Sequence, residues 1–318
     1  MKKIIRLFAF WLSVFCLCLV STFSFAEDVA YLLTASSKGD VATVKAMLES
    51  GVNANTKDEE GLTALMYAAR KDKVDVVALL ISKGAEVNAK DNGGWTPLMF
   101  AARKNNVATV KVLLENGADP KIRDASGWSA FGMAATAGYS QVVDLMIKHG
   151  VDANAKADDG KTALMYAAKS GDLATVTSLI NKGAQTSAHD RQGVTALMYA
   201  AREGHAPIVA YMLEHGAKVD EQDQSRWTAL TWAVKKSQVA SAKAIINKGA
   251  DVNHEDSEGT PLLQLAVDTN AEDMVKLLLE NKANVKARDK YGLTAYVYAL
   301  KKGNPEIVKL IKEAGGKY

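Results

Sequence analysis

The run Gly61-Leu62-Thr63-Ala64-Leu65-Met66-Tyr67-Ala68-Ala69 returns every 33 residues. It restarts at Gly94, Gly127, Gly160, Gly193, Arg226, Gly259 and Gly292, with no insertion large enough to break step. A second landmark keeps the same interval: Gly51, Gly84, Gly117, Gly150, Gly183, Gly216, Gly249, then Lys282 and Gly315. A period of this length leaves a chain little choice but a stacked array, in which each unit buries its apolar face only against its neighbours. That architecture argues for binding and does not name a partner.

Within one unit, Thr63 is placed to cap a helix through its hydroxyl, with Leu65, Ala68 and Ala69 at i, i+3, i+4 spacing behind it. Thr96-Pro97 supports the same start, because proline suits the first helical position. The helix ends near Arg70-Lys71. The turn slot beyond it holds Gly39, Asp72, Asn105, Gly138, Gly171, Gly204, Ser237, Asn270 and Gly303, mostly residues that tolerate a left-handed backbone. A second helix follows with Val77, Leu80 and Ile81 predicted on one face; Val110, Leu113 and Leu114, then Val143, Met146 and Ile147, then Val209, Met212 and Leu213 repeat that chemistry. Pro207 and Pro305 fall in its first turn. Gly84 and its counterparts end it, and a polar segment such as Asn88–Gly93 makes a turn-rich finger into the next unit.

These residues resemble the ankyrin repeat family. The match lies in Gly94-Trp95-Thr96-Pro97-Leu98-Met99-Phe100-Ala101-Ala102 and in the closing Gly84-Ala85-Glu86-Val87-Asn88 and Gly249-Ala250-Asp251-Val252-Asn253. The resemblance covers about 290 residues. It implies an all-α solenoid of about nine 33-residue helix-turn-helix units with short hairpin-like fingers, starting near 28, 61, 94, 127, 160, 193, 226, 259 and 292. Three departures stand out. The family's histidine slot holds Met66, Met99, Gly132, Met165, Met198, Thr231, Gln264 and Val297, so the hydrogen bonds made there are expected to give way mainly to apolar contact. Gly132 is expected to weaken its helix by about 1 kcal/mol relative to alanine. Thr260-Pro261 lies one residue early, leaving that helix start open, and Lys312 replaces an apolar residue as a capping unit requires.

Residues 1–26 read as a cleaved secretory signal peptide, with residues 27–318 as a single ankyrin repeat domain. Lys2, Lys3 and Arg6 precede the apolar run Leu7–Val20, and Ser24-Phe25-Ala26 places small residues before Glu27. An uncleaved anchor is the competing reading. Without this segment the +3 net charge disappears, leaving 36 basic against 36 acidic residues, so no nucleic-acid partner is expected. Cys16 and Cys18 leave with it, which removes disulfides, thiolate ligands and cysteine nucleophiles. No membrane insertion is expected afterwards. A bacterial periplasm is the expected destination, with secretion the alternative.

Three slots are candidates for binding. The residue after the finger glycine is Trp95, Trp128 and Trp227, either interface anchors or cover for the finger–helix junction. The pair after Ala-Ala is rich in cations: Arg70, Lys71, Arg103, Lys104, Lys169, Arg202, Lys235, Lys236, Lys301 and Lys302, with only Glu203 and Asp268 acidic. Either these form a positive stripe for an acidic protein surface, or they answer the helix dipole at about 0.3–1 kcal/mol each. The third slot is Tyr67, Phe100, Tyr166, Tyr199, Trp232 and Tyr298, expected to pack between first helices, with exposure to a ligand the alternative. The five histidines lack helical metal spacing, Asp158-Asp159 and Glu59-Glu60 read as solvated turn tips, and no glycine loop cradles a phosphate. No catalytic residue, metal or cofactor is therefore assigned, and the chain is not expected to be an enzyme. It reads as a monomeric, non-catalytic protein-binding scaffold, a periplasmic adaptor or regulator; the alternatives are a secreted effector binding a host protein, or an accessory that modulates a partner enzyme.

Overall fold

A computed structural model describes residues 27–317. The expected signal peptide lies outside the described residues. The chain divides into two compact units, residues 1–133 and 134–318. The first contains α1 (27–38), α2 (Val41–Glu49), α3 (Ala64–Arg70), α4 (Val74–Ser82), α5 (Pro97–Arg103) and α6 (Val107–Glu115), and the division falls within α7 (Ala130–Thr136). The second contains α8 (Ser140–Lys148), α9 (Ala163–Ser170), α10 (Leu173–Asn181), α11 (Ala196–Glu203), α12 (Ala206–Glu214), α13 (Ala229–Lys235), α14 (Val239–Ile246), α15 (Leu262–Asp268), α16 (Glu272–Glu280), α17 (Ala295–Lys302) and α18 (Pro305–Glu313). Among the described residues there is no strand. Isolated antiparallel bridges, such as Lys57 with Thr63 and His189 with Thr195, close fingers into short hairpins. The molecule is an all-α repeat solenoid.

The first helices start as expected. Thr63, Thr96, Thr162 and Thr195 each accept the amide of the residue three positions on, at 3.3–3.4 Å. What the sequence reading missed is the return bond. Each threonine amide donates to the sulfur of Met66, Met99, Met165 or Met198 at 3.4 Å, closing a capping box with a weak acceptor. The expectation that this slot holds mainly apolar contact is therefore corrected: the methionines are buried and also satisfy the first amide of the helix. Thr231 does the same with its hydroxyl, receiving the Thr228 amide at 3.2 Å.

All nine turn-slot residues adopt positive φ, from 54° at Asp72 and Ser237 to 86° at Gly171. At Gly171 a second reason for glycine applies, because an added Cβ would lie 2.6 Å from the His205 ring. α6 buries Val110, Leu113 and Leu114 as expected, but in α4, α8 and α12 the stripe is shifted at one of its three positions. Val76, Val77 and Leu80 are enclosed, whereas Ile81 is only half-buried; Val142, Val143 and Met146, and Ile208, Val209 and Met212, repeat that choice. The reason is orientation. In the first unit α4 lies against both α3 and α6, and the side holding 76, 77 and 80 faces them.

Neighbouring repeats are also stitched by side-chain amides. Asn55 donates to the Gly84 carbonyl at 3.0 Å and accepts the Glu86 amide at 2.7 Å. Asn88 treats Gly117 and Asp119 the same way, and in the second unit Asn154 does so with Gly183 and Gln185. One side chain thus satisfies both a helix-end carbonyl and the next segment's amide, groups that need partners where the chain turns.

Candidate functional site

The rim of each repeat is organised by an aspartate at the finger base. Asp58 Oδ1 accepts the amides of Glu60 and Leu62 at 3.0 and 2.8 Å, which holds the turn. Its Oδ2 accepts the Tyr67 hydroxyl at 2.9 Å, which ties finger to helix. Asp190 repeats both halves, with Gln192 and Val194 on one oxygen and Tyr199 on the other at 2.7 Å. Asp223 uses the Trp232 indole N–H at 3.0 Å, and Asp289 the Tyr298 hydroxyl at 2.7 Å. Where the repeat starting at Gly160 has Ala157 in this position, Asp159 takes over and accepts from Tyr166 at 2.9 Å and from the Lys161 ammonium at 2.6 Å. Asp159 is thus not the solvated turn tip that the sequence suggested.

The expected aromatic slot therefore packs, as anticipated, and at every position but Phe100 also carries a polar tether. Tyr166 and Tyr199 are buried, while Tyr67, Phe100, Trp232 and Tyr298 are half-buried. The phenol of Tyr199 is pushed well above its ordinary pKa, first by burial and then by its bond to the Asp190 carboxylate. Burial works to raise the Asp289 pKa, but bonds from Gln264, Tyr298 and the Leu293 and Tyr291 amides hold it down at about 2. Asp159 is held below its usual value against the same opposing effect of burial, mainly by Lys161.

The tryptophans sit at the finger–helix junction, all half-buried. Their backbone amides donate to the finger aspartates: Trp95 to Asp91 at 2.7 Å, Trp128 to Asp124 at 2.8 Å and Trp227 to Asp223 at 2.9 Å. The Trp95 ring lies 5.1 Å from Phe100, and Trp227 meets Trp232 edge-on at 4.7 Å. Gly132 leaves room for the Trp128 ring, which an added Cβ would touch at 3.4 Å, so its cost in helix propensity has a local reason.

Three slots that look independent in sequence converge here. The Arg70 guanidinium lies over Tyr67 at 5.2 Å and that of Arg103 over Trp95 at 5.4 Å. Arg202 is interleaved between Tyr199 at 5.0 Å and Trp232 at 5.3 Å, and is paired with Glu203. These are cation–π distances, so the arginines are partly spent on holding the rim together. Lys302 is bonded to Asp268 at 2.8 Å. Lys71, Lys104, Lys169, Lys235 and Lys236 are different: they are exposed and have no carboxylate partner among the described residues.

Each histidine uses a ring nitrogen on a backbone carbonyl: His149 on Leu145, His189 on Asp190, His205 on Lys169, His215 on Tyr211 and His254 on Arg226. No group of three or more potential metal ligands occurs among the described residues, and no described helix is long and apolar enough to cross a membrane.

No curated protein matched the chain. A family model described as ankyrin repeats in three copies matches residues 32–124, 116–190, 171–256 and 243–318. Repeats of this family generally mediate protein–protein binding and are typically non-catalytic scaffolds. With matches running from residue 32 to the C-terminus, the chain belongs to the ankyrin repeat family.

Proposed function

We propose that the protein is an exported, non-catalytic scaffold, a periplasmic adaptor or regulator whose rim holds a protein with an acidic surface. The observation that carries this reading is the set of unpaired, exposed lysines at the ends of the first helices, with half-buried tryptophans at the finger–helix junctions. In a chain whose charges otherwise balance, such cations are available for a partner, and the rigid rings beside them supply contact area at low entropic cost. Trp95, Trp128 and Trp227 act as anchors, and Lys71, Lys104, Lys169, Lys235 and Lys236 give the charge. Arg70, Arg103 and Arg202 order the surface that both present. The protein works as a monomer, cut before Glu27 during export.

Affinity capture from fractionated cells tests this, with the protein run beside a variant carrying Glu at the five lysine positions. A protein retained by the first and released by the second is expected, with binding that weakens as salt rises through the physiological range. Retention indifferent to both the substitutions and the salt would contradict the acidic partner. N-terminal sequencing of protein from periplasmic extract should begin at Glu27. An intact Met1 would contradict export by cleavage, and recovery mainly from culture medium would favour the secreted alternative.

A further inference from the structure

The repeat that starts at Gly259 keeps its finger aspartate but departs from the repeats on either side at the ring and cation slots of the rim. Leu265 stands where the flanking repeats carry Trp232 and Tyr298, and Asp268 stands where they carry Lys235 and Lys301. Asp256 still holds its turn, accepting the Glu258 and Thr260 amides at 2.9 Å through Oδ1. Its other oxygen has no phenol or indole to receive, because leucine offers none. The smaller side chain leaves a pocket of about 340 Å³, walled by Trp227 and Tyr298 from the adjoining repeats. Gln264 lines it too, 4 % exposed, and its carbonyl oxygen is without a hydrogen-bond donor. That orphan has a local origin. The cap position is Pro261, which has no amide hydrogen to return to Gln264 as the threonines do to their methionines.

We propose that this pocket takes one arginine side chain of a protein partner. The proposal deepens the scaffold reading and rests on it. A guanidinium is planar, matches aromatic walls face-on, and brings several N–H donors to the unpaired carboxylate oxygen of Asp256. The net charge of the lining agrees: Asp256, Glu258, Asp268 and Asp289 outnumber Lys235 and Lys290. With Lys290 paired to Glu258 and Asp268 to Lys302, Asp256 and Asp289 still face Lys235 alone. The pocket is thus the counterpart of Arg202 in the repeat before last, with the cation supplied from outside instead of from the chain.

The test is amide and indole NMR on the full chain, with N-acetylarginine amide as the probe and its citrulline analogue as an uncharged control of the same shape. Arginine should shift the Trp227 indole and the Gln264 side-chain amide while leaving the Trp95 indole in place, and citrulline should shift neither. Leu265→Tyr, which fills the gap and occupies Asp256, should weaken the response about tenfold or more. Asp268→Lys, which installs the cation of the other repeats, should do the same should the tyrosine variant fold poorly. Equal shifts by citrulline, no shift at Trp227, or a full response in both variants would overturn the pocket. A chain that captures a partner through its lysines yet ignores arginine loses the pocket alone. One that binds arginine and captures nothing loses the scaffold reading instead.

Discussion

The repeats starting at Gly193 and Gly259 share a frame and differ in what holds their rims. In the first, Asp190 is buried, Tyr199 bonds it, and Arg202 covers the ring. In the second, the aspartate has two of the three partners, the ring is replaced by Leu265, the cation by Asp268, and the helix cap is Pro261 with no side-chain bond. Both helices nevertheless form in step, and both bury their inner residues completely. The difference teaches that the fold needs only the inner face, Ala200 and Ala201 in one and Ala266 and Val267 in the other. The rim is a separate layer of bonds that one repeat can lose.

The largest way to break the comparison is Tyr199→Phe. It leaves a buried carboxylate oxygen on Asp190 without its donor, so urea unfolding should show a loss of about 1–3 kcal/mol. The same substitution at Tyr67, where burial is less complete, should cost less. Pro261→Thr should act in the opposite direction. Pro261 already has the extended φ of −65° and ψ of 145° that a cap adopts. The new hydroxyl and amide then complete the box with Gln264, raising stability by about 0.5–2 kcal/mol. A destabilised variant would show that Gln264 is satisfied in some other way.

Acid unfolding sharpens the contrast within the last repeats. The Asp289 carboxyl sits at about 2 in the folded chain against an ordinary 3.8, so its stabilisation is complete above 3.8 and lost as pH falls toward 2. Tyr199 and Tyr298 lie above 10 when folded, so their share is complete below 10 and lost at higher pH. Asp289→Asn should flatten the acid limb between those values in a thermal melt followed against pH. The smallest effect belongs to Gly132→Ala. A gain of about 1 kcal/mol in helix propensity is opposed by the Trp128 ring at 3.4 Å, and a shift in melting temperature near zero is expected.

The sequence carried the architecture because glycine, threonine and proline mark backbone states that recur, and a period of 33 places them in register. Even the non-glycine turn residues Asp72, Asn105, Ser237 and Asn270 behaved as their slot required. The buried stripe held in Val107–Glu115 but was partly displaced in helices such as Val74–Ser82, because two faces of an apolar helix look alike until its neighbours are placed. The rim was harder still. Asp58 and Tyr67 are nine positions apart, and that the Tyr67 hydroxyl donates to the Asp58 carboxylate depends on the finger folding back over the helix. Ala157 with Asp159 shows the limit most clearly, since the tether survives there with its acid moved by two positions. Gln264 without a donor could have been found earlier, by noting that Pro261 occupies a cap that elsewhere supplies an amide.

The central claim is that the finger carboxylate and the helix aromatic form a bonded pair, which the Gly259 repeat lacks and its flanking repeats have. Thermal unfolding of Leu265→Tyr beside Leu265→Phe tests it most directly, because the two rings fill the same gap and differ by one hydroxyl. The account predicts that tyrosine raises the melting temperature above that of phenylalanine, and that this margin vanishes when Asp256 is also changed to Ala. Equal melting temperatures for the two rings, or a margin that persists without Asp256, would contradict it.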